Sequence, residues 1–175
     1  VGSEMCIRDS ADEVGKSELL VFPKNIIFST PLGSVKKDKE MLLDYEVELG
    51  IVFNQQITMD KLNKTSNVMD LVSGFVLTND FSNRIPIIKD PEQGYSRGKT
   101  VPGFLPVGPF YIPKENYGKI LNIPNLNIEL FVNNELRQKS QTKHMIHPIR
   151  IVLTKIIENA NQDWMYFDDQ KRKLL

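Results

Sequence analysis

The chain of 175 residues has the usual size of one domain and is long enough to bury a hydrophobic core. Apolar residues make up 41% and charged residues 25% of the sequence, a balance that argues against a disordered chain and against a membrane protein. Acidic and basic residues number 22 each, with no long run of one sign, so a nucleic-acid partner is not supported and a small molecule is favoured.

The N-terminal region and the cysteine content indicate the cellular compartment of the protein. Its cysteine, Cys6, is the only one in the chain and cannot form an internal disulfide. The N-terminus lacks the basic, apolar and small-residue regions of a signal peptide, and no apolar run approaches the roughly 20 residues that cross a bilayer. We therefore expect a cytoplasmic protein without a membrane partner. Residues 1–18 show no periodicity and are interpreted as a non-native or disordered leader, so the domain is expected over residues 19–175.

Two strands are predicted in the first third of the domain. The apolar run Leu19 to Phe22, ended by Pro23, predicts a strand that leads into a surface loop. Residues Leu43 to Phe53 alternate strictly, which predicts a second strand. Its polar face carries Asp44, Glu46, Glu48 and Gly50.

The middle of the chain combines a buried strand with a long irregular segment. Residues 59–70 are polar, with one helical turn expected near Val68, and the apolar run Leu71 to Thr78 predicts a buried strand that ends just before Asp80. Residues 82–106 show no periodicity and contain many prolines and glycines, so we expect a long loop. Loops of that length are usually functional or disordered.

The last third is predicted to hold a hairpin and one helix. Val107 to Ile112 and Asn127 to Val132 are expected as strands, and Asn133-Asn134 fits a tight hairpin turn. A helix should begin near Pro148, with Asn161 as its C-terminal cap and with apolar residues at helical spacing: Ile149, Val152, Leu153, Ile156, Ile157 and Ala160. Residues 164–173 start an element that they do not finish, so the domain is expected to be incomplete at its C-terminal end.

Three carboxylates form the candidate metal site. Glu46 and Glu48 project from the same face of a strand about 6 to 7 Å apart, near enough to share one cation. A solvated strand face is the alternative, and Asp80 at a strand end lowers its weight. Three carboxylates suit Mg²⁺, Mn²⁺ or Ca²⁺ better than Zn²⁺. His144 and His147 are interpreted as part of the hairpin-to-helix connection rather than as ligands.

Two cationic residues are candidates for charge stabilisation. Lys99 lies between Gly98 and Thr100 in the expected loop, where it would bind a substrate carboxylate or stabilise negative charge that develops during reaction. A solvated loop lysine is the alternative interpretation. Arg84, four residues after Asp80, has the same candidate role, with a surface ion pair as its alternative.

Four segments, in this order, make the chain resemble the fumarylacetoacetate hydrolase family. They are Asp44-Tyr-Glu-Val-Glu-Leu-Gly-Ile-Val-Phe53, Ser73-Gly-Phe-Val-Leu-Thr-Asn-Asp-Phe-Ser-Asn-Arg84, Gly98-Lys-Thr-Val-Pro-Gly-Phe-Leu-Pro-Val-Gly-Pro109 and Phe131-Val-Asn-Asn-Glu-Leu-Arg-Gln-Lys-Ser-Gln-Thr142. The resemblance implies an α+β, mostly β fold with a mixed curved β-sheet or β-roll, and homodimers in the full-length protein. It assigns Glu46, Glu48 and Asp80 as ligands of Mg²⁺ (or Mn²⁺ or Ca²⁺), Lys99 and Arg84 as catalytic residues, and Gln138 and Thr142 as substrate-binding residues.

The function implied by this resemblance is hydrolysis of a C–C bond in an acylpyruvate-like 2,4-dioxo acid, with Lys99 adding positive charge as an enolate forms. One alternative is an isomerase, hydratase or decarboxylase of 2-hydroxy-dienoic or 2-oxo-alkenoic acids from aromatic catabolism. Another is an inactive metal-binding fragment.

The sequence departs from the family pattern at three places. Ile85-Pro86 stands where an aspartate often follows the arginine, Gly103 replaces a common threonine, and a C-terminal Thr-Gly-Thr-Pro-type loop is not found.

Overall fold

A computed structural model describes residues 19–24, 30–90, 93–120 and 122–173. The strands are β1 (Leu43–Asp44), β2 (Val47–Phe53), β3 (Val72–Asn79), β4 (Ser82–Asn83), β5 (Val107–Pro113), β6 (Asn127–Val132), β7 (Glu135–Gln141), β8 (Asp163–Met165) and β9 (Lys171–Lys173). The helices are α1 (Met59–Lys64), α2 (Arg84–Lys89), α3 (Gly94–Lys99) and α4 (Ile149–Glu158). Short 3-10 turns span Val68–Leu71, Lys114–Tyr117 and Thr142–His144. The leader predicted for residues 1–18 lies outside the described residues.

The centre of the fold is a three-stranded antiparallel sheet in the order β2-β3-β5. Its register places Val47 opposite Asn79 and Ile51 opposite Phe75. Short two-stranded ladders, β1-β4, β6-β7 and β8-β9, surround it. The mostly β fold expected from the sequence is confirmed, and so are the predicted strands at Leu71 to Thr78, Val107 to Ile112 and Asn127 to Val132, within a residue or so at each end.

The predicted strand over Leu43 to Phe53 is interrupted at Tyr45 and Glu46. At the break, the backbone N–H of Tyr45 donates a hydrogen bond to the Asp44 carboxylate at 2.9 Å. The N–H of Glu46 donates to the side-chain oxygen of Asn79 at 3.1 Å. Side-chain acceptors thus replace the strand ladder, and the chain passes from the β1-β4 pair to the central sheet. The prediction of one continuous strand was wrong here.

The segment Leu19 to Phe22 forms no strand either, because its described backbone makes no ladder. Leu19 is nevertheless buried, and the Phe22 ring stacks on that of Tyr95 with the ring centres 5.7 Å apart. The apolar run therefore marked burial correctly and secondary structure incorrectly.

Residues 82–106 are not one long loop, since they contain β4, α2 and α3. The Asn83 side chain caps α2 by accepting a hydrogen bond from the Ile85 N–H at 3.2 Å, and Pro86 lies in the first turn, where a missing N–H is tolerated. Helix α1 was likewise unforeseen, and Thr58 caps it in the same way. These helices are six residues long, too short to show periodicity.

Helix α4 packs on the core face of the sheet, as its apolar spacing predicts. Its buried Leu153 belongs to a core cluster with Leu62, Val68, Met69, Leu71, Val72 and Phe75. Pro148 is the residue before the first helical turn, and Asn159, not Asn161, ends the helix. The predicted turn near Val68 is confirmed as a 3-10 turn. None of the helices in the described part of the chain is both long and apolar enough to cross a membrane.

The β6-β7 hairpin turns at Asn133 and Asn134, whose φ values of 51° and 64° match the left-handed conformation that a two-residue hairpin turn requires. The hairpin is fastened to the central sheet by the Gln138 side chain. Its amide accepts a hydrogen bond from the Val47 N–H at 2.7 Å and donates one to the Val47 carbonyl at 3.0 Å.

Candidate metal centre

The antiparallel register of β2 and β3 brings the three carboxylates together. The pairing of Val47 with Asn79 continues one residue beyond β3, where the Asp80 N–H donates to the Glu46 carbonyl at 2.8 Å. Glu48 follows two residues later on the same face. One carboxylate oxygen from each of Glu46, Glu48 and Asp80 lies within 4.8 Å of the other two. The predicted cluster is therefore a single site.

These carboxylates are buried. Glu48 and Asp80 are each 2% exposed, and the Glu46 side chain is 12% exposed. Buried carboxylates require compensating positive charge or a bound cation. A solvated strand face, the alternative reading of the spacing, is excluded by this burial.

Two buried lysines share the Asp80 carboxylate. Lys24 Nζ lies 2.5 Å from one oxygen and Lys99 Nζ bonds the other. Lys24 also donates to the Phe81 carbonyl at 2.8 Å, and Lys99 lies 3.3 Å from a Glu46 oxygen. Lys99, which the sequence placed in a loop, is the last residue of α3 and is only 2% exposed. The structure thus brings Lys99 to the carboxylates, as expected, and adds Lys24.

Lys24 was missed by the sequence analysis. It directly follows the apolar run that ends in Phe22-Pro23, and a lone lysine after such a run is most often solvated. The signal that was available is its position, because a charged residue attached to a buried segment must either leave the core or find a partner.

Arg84 connects the cluster to β1. Its Nε donates to the Asp44 carboxylate at 2.7 Å, and its NH2 group bonds a Glu46 oxygen. Arg84 is the first residue of α2, so this helix fixes the position of the guanidinium. The guanidinium is 22% exposed, and its two partners differ, since Asp44 is 38% exposed and Glu46 is 12% exposed. Arg84 thus forms the ion pair considered as its alternative, and a catalytic role stays a prediction.

The pKa shifts follow from burial and from these ion pairs. Burial alone would raise the pKa of Asp80, but Lys24 and Lys99 outweigh it and hold that pKa below its usual value. Burial also tends to lower the pKa of Lys99, yet Asp80 and Glu46 raise it above the usual value. For Lys24, burial dominates and the pKa is lowered despite Asp80. Lys99 is therefore a fixed positive charge.

The predicted substrate-binding residues have structural partners. The Gln138 amide is engaged by the Val47 backbone, as described above. The Thr142 hydroxyl is buried, donates to the Pro124 carbonyl at 2.6 Å and accepts from the Leu126 N–H at 2.8 Å. The contacts of Thr142 place it in the turn beyond β7 rather than in the carboxylate cluster. A substrate contact for either residue stays a prediction.

A cavity of about 380 Å³ lies beside the cluster rather than at it. Its wall includes Val47, Leu77, Asn79 and Phe131 but none of the three carboxylates. Val47, Leu77 and Asn79 are on the strand face opposite Glu48, whereas Thr78, which also lines the cavity, is paired with Glu48 on the other face.

Comparison with known proteins identifies the family. A sequence profile described as the fumarylacetoacetate (FAA) hydrolase C-terminal domain matches residues 7–161. The chain belongs to the fumarylacetoacetate hydrolase family. The resemblance drawn from the four motifs is thereby confirmed, as is the fold class.

The relatives of this chain include an uncharacterised protein of Methanocaldococcus jannaschii. It is 33% identical over 132 residues, which cover 71% of this chain and 51% of that protein. An uncharacterised protein of Staphylococcus aureus is 35% identical over 121 residues, which cover 69% of this chain and 37% of that protein. The matched part of the chain thus spans about half of the length of the first of these relatives and about a third of the second.

A solved structure of fumarylpyruvate hydrolase from Pseudomonas aeruginosa, in complex with Mn²⁺ and pyruvate, superposes with a TM-score of 0.56 at 22% identity. It covers 69% of this chain and 50% of that one. The 2-hydroxyhepta-2,4-diene-1,7-dioate isomerase of Mycobacterium marinum superposes with a TM-score of 0.52 at 22% identity, covering 77% of this chain and 46% of that one. At such identities these structures support the fold alone.

The residues present fit a divalent metal ion. The cluster has one net negative charge. It contains four carboxylates and three cationic side chains, namely Asp44, Glu46, Glu48, Asp80, Lys24, Arg84 and Lys99. Each carboxylate oxygen has two lone pairs, so an oxygen of Asp80 that accepts from a lysine still has one for a metal. An all-oxygen donor set of this kind suits Mg²⁺, Mn²⁺ or Ca²⁺. The two histidines lie outside the cluster found among the described residues.

Proposed function

We propose that the full-length protein is a metal-dependent hydrolase that cleaves the C–C bond of an acylpyruvate-like 2,4-dioxo acid. The observation that carries the proposal is the buried cluster of Glu46, Glu48 and Asp80 with Lys99 fixed against it. The substrate class is taken from the family resemblance, and a fumarylpyruvate hydrolase that shares the fold has been solved with Mn²⁺ and pyruvate. A metal at this site would act as a Lewis acid toward the oxygens of a 2-oxo acid.

Lys99 is proposed to stabilise the negative charge that develops on the departing pyruvate fragment. Its ammonium is already desolvated and held by Asp80 and Glu46, so little reorganisation is needed when the charge appears. In the overall reaction, water supplies a hydroxyl group to the acyl carbon, the C–C bond breaks, and its electron pair takes a proton at the pyruvate carbon. Arg84 serves this arrangement by holding Glu46 through its guanidinium.

The charge of the cluster also favours an acidic substrate. With one net negative charge on the side chains, a bound divalent ion gives one net positive charge. A substrate with one carboxylate then restores neutrality in a buried site, where uncompensated charge is costly.

A second candidate is an isomerase, hydratase or decarboxylase acting on 2-hydroxy-dienoic or 2-oxo-alkenoic acids. The fold similarity to a 2-hydroxyhepta-2,4-diene-1,7-dioate isomerase favours it about as strongly. The same stabilisation of negative charge by Lys99 serves these reactions. A metal-binding fragment without activity is the third candidate, and it predicts metal binding with no turnover.

The test is a product analysis by NMR. The purified chain, and a full-length relative of it, are supplied with Mg²⁺, Mn²⁺ or Ca²⁺ and with a panel of acylpyruvates and 2-hydroxy-dienoic acids. Hydrolysis gives pyruvate and a second acid, whereas isomerisation gives one product of unchanged mass. If folded, metal-loaded full-length protein leaves every acylpyruvate intact, the hydrolase proposal is wrong.

Two variants make the test specific for the site. Lys99→Met should lower kcat by about 100-fold or more, because removing one preorganised charge-stabilising group costs that much in other enzymes. Lys114→Met is the matched control, since Lys114 is a partly buried lysine that donates to the Met69 carbonyl at 2.9 Å and is not part of the carboxylate cluster found among the described residues. Equal activity of the two variants would contradict the role of Lys99.

We also propose that the full-length protein is a homodimer, as the family resemblance implies, and that it is cytoplasmic, as its single cysteine favours. Sedimentation analysis of full-length protein tests the assembly. A single species of monomer mass at micromolar concentration would refute it.

A further inference from the structure

Helix α3, which carries Lys99, has only six residues and cannot be stable by itself, because isolated helices shorter than about 12 to 15 residues are marginal in water. Its position must therefore come from its neighbours. Residues of this helix, together with Thr100 at its C-terminal end, form three faces that contact different neighbours. Each face consists of two residues four apart in the sequence.

The first face is made of glycines and packs on α2. A side chain at Gly94 would meet the Pro86 carbonyl at 2.2 Å, and one at Gly98 would meet the Asn83 carbonyl at 2.4 Å. The second face carries Tyr95 and Lys99, which contact the Phe22 ring, the Lys99 Nζ at 4.9 Å from its centre. This second face presents the ammonium to the carboxylates.

The third face carries two hydroxyl groups, on Ser96 and Thr100, and both residues are almost completely buried. The Ser96 hydroxyl donates to the Met165 carbonyl at 2.6 Å. The Thr100 hydroxyl donates to the Ser96 carbonyl at 2.7 Å and accepts from the Phe167 N–H at 2.9 Å. Met165 ends β8, and Phe167 lies in the turn before β9.

The hairpin that receives these bonds also has contacts within itself. The Tyr166 N–H donates a hydrogen bond to the Gln170 carbonyl at 2.9 Å and so closes the turn. The Arg172 guanidinium lies over the Tyr166 ring, 4.7 Å from its centre. Arg172 also pairs with Asp168 at 2.5 Å. The β8-β9 hairpin is therefore bonded directly to the hydroxyls of Ser96 and Thr100.

We infer that Thr100 and Ser96 are positioning residues, and that the β8-β9 hairpin acts through them to hold the Lys99 ammonium in place. The consequence for catalysis rests on the proposed function of Lys99. Thr100 directly follows Lys99, so its bonds to the Ser96 carbonyl and from the Phe167 N–H act on the end of the helix that carries the ammonium. A displacement of about 1 Å in a catalytic group can cost about 100-fold in rate.

The test compares Thr100→Val, which removes the hydroxyl at nearly constant volume, with Thr100→Ser, which retains it. Thr100→Val should lower kcat by about 10- to 100-fold with little change in KM, and Thr100→Ser should restore kcat to within about threefold of the wild type. Thr154→Val is the matched control, because Thr154 makes the same type of bond, to the Arg150 carbonyl at 2.9 Å, in α4. This control should leave kcat unchanged.

A second measurement does not depend on turnover. Labelling by an amine-reactive reagent, quantified by mass spectrometry, should rise about tenfold or more at Lys99 in Thr100→Val, as the end of α3 opens more often. Labelling of Lys24, which shares Asp80 but lies outside α3, should stay at the wild-type level. If the wild type shows no turnover, the proposed function fails and the labelling alone decides this inference.

Two results would overturn the inference. One is unchanged Lys99 labelling in Thr100→Val, and the other is an equal rise at Lys24 and Lys99, which would mean general loosening. If Thr100→Val does not fold, Ser96→Ala replaces it, since it removes the hydroxyl bonds to the Met165 and Gln93 carbonyls and should raise Lys99 labelling selectively.

Discussion

Replacing Asp80 by asparagine distinguishes two descriptions of the metal-free cluster. If the three carboxylates mainly repel one another, removing one charge stabilises the protein without metal. If the lysines already neutralise them, the same change leaves two buried ammonium groups without their shared partner. The structure supports the second description, because both oxygens of Asp80 are bonded to lysine.

The expected loss of stability follows from burial. Asp80, Lys24 and Lys99 are only 2% to 6% exposed, and removing one partner of a buried ion pair costs about 3 to 5 kcal/mol. We expect the lower end of this range, because Lys99 keeps its pairing with Glu46 and Lys24 keeps its bond to the Phe81 carbonyl. With a urea dependence of about 1 to 3 kcal/mol/M, about 3 kcal/mol lowers the unfolding midpoint by about 1 to 3 M.

The assay is urea unfolding followed by circular dichroism, first with a chelator and then with saturating Mn²⁺. Asp60→Asn is the matched control, since Asp60 pairs with Lys64 on the surface and its side chain is 71% exposed. Such pairs contribute at most about 0.5 kcal/mol. Mn²⁺ should raise the midpoint of the wild type and of the control, and raise that of Asp80→Asn much less.

The reasoning is refuted if Asp80→Asn is as stable as the wild type, or more stable, in the chelator. Such a result would mean that carboxylate repulsion dominates the metal-free state. An equal gain from Mn²⁺ in all three proteins would separately show that Asp80 is not a ligand.

Three further changes test how the site is supported. Gln138→Ala should cost about 1 to 3 kcal/mol in urea unfolding, because the N–H and carbonyl of Val47 lose their partners, and an unchanged midpoint would contradict the clamp. Leu153→Ala should cost about 2 to 5 kcal/mol in the same assay, whereas Ile151→Ala, at a residue 49% exposed, should cost far less. Similar losses of stability in the two variants would show that α4 packs by another face. Gly98→Ala should lower the melting temperature, because its new Cβ meets the Asn83 carbonyl just before α2, and a gain in stability would contradict that close packing.

The sequence predicted the parts of the site that depend on local pattern. Alternation in Leu43 to Phe53 placed Glu46 and Glu48 on one face, and the apolar run before Asp80 placed that residue at a strand end. The motif order then identified the family. Register, burial and the break at Tyr45 depend on which strands pair, and one sequence does not specify that pairing.

The parts that were missed depend on contacts between distant segments. Lys24 is 56 residues from Asp80, and nothing near it in the sequence marks the pairing. Helix α3 was missed because its glycines, normally signs of a loop, are required by its close approach to α2. The same close packing explains why Lys99 is buried at a helix end instead of exposed in a loop.

The arrangement of Lys24, Asp80 and Lys99 also explains why the cluster contains cationic side chains in addition to its three carboxylate ligands. A metal held by three unpaired buried carboxylates would leave a net negative charge and would weaken binding of an acidic substrate. Lysines at both oxygens of Asp80, and Arg84 at Glu46, reduce that charge without occupying every lone pair. Under the proposed function, the cationic side chains therefore have two roles: they keep the metal-free protein folded, and they leave the metal-bound site positive enough to accept a 2-oxo acid.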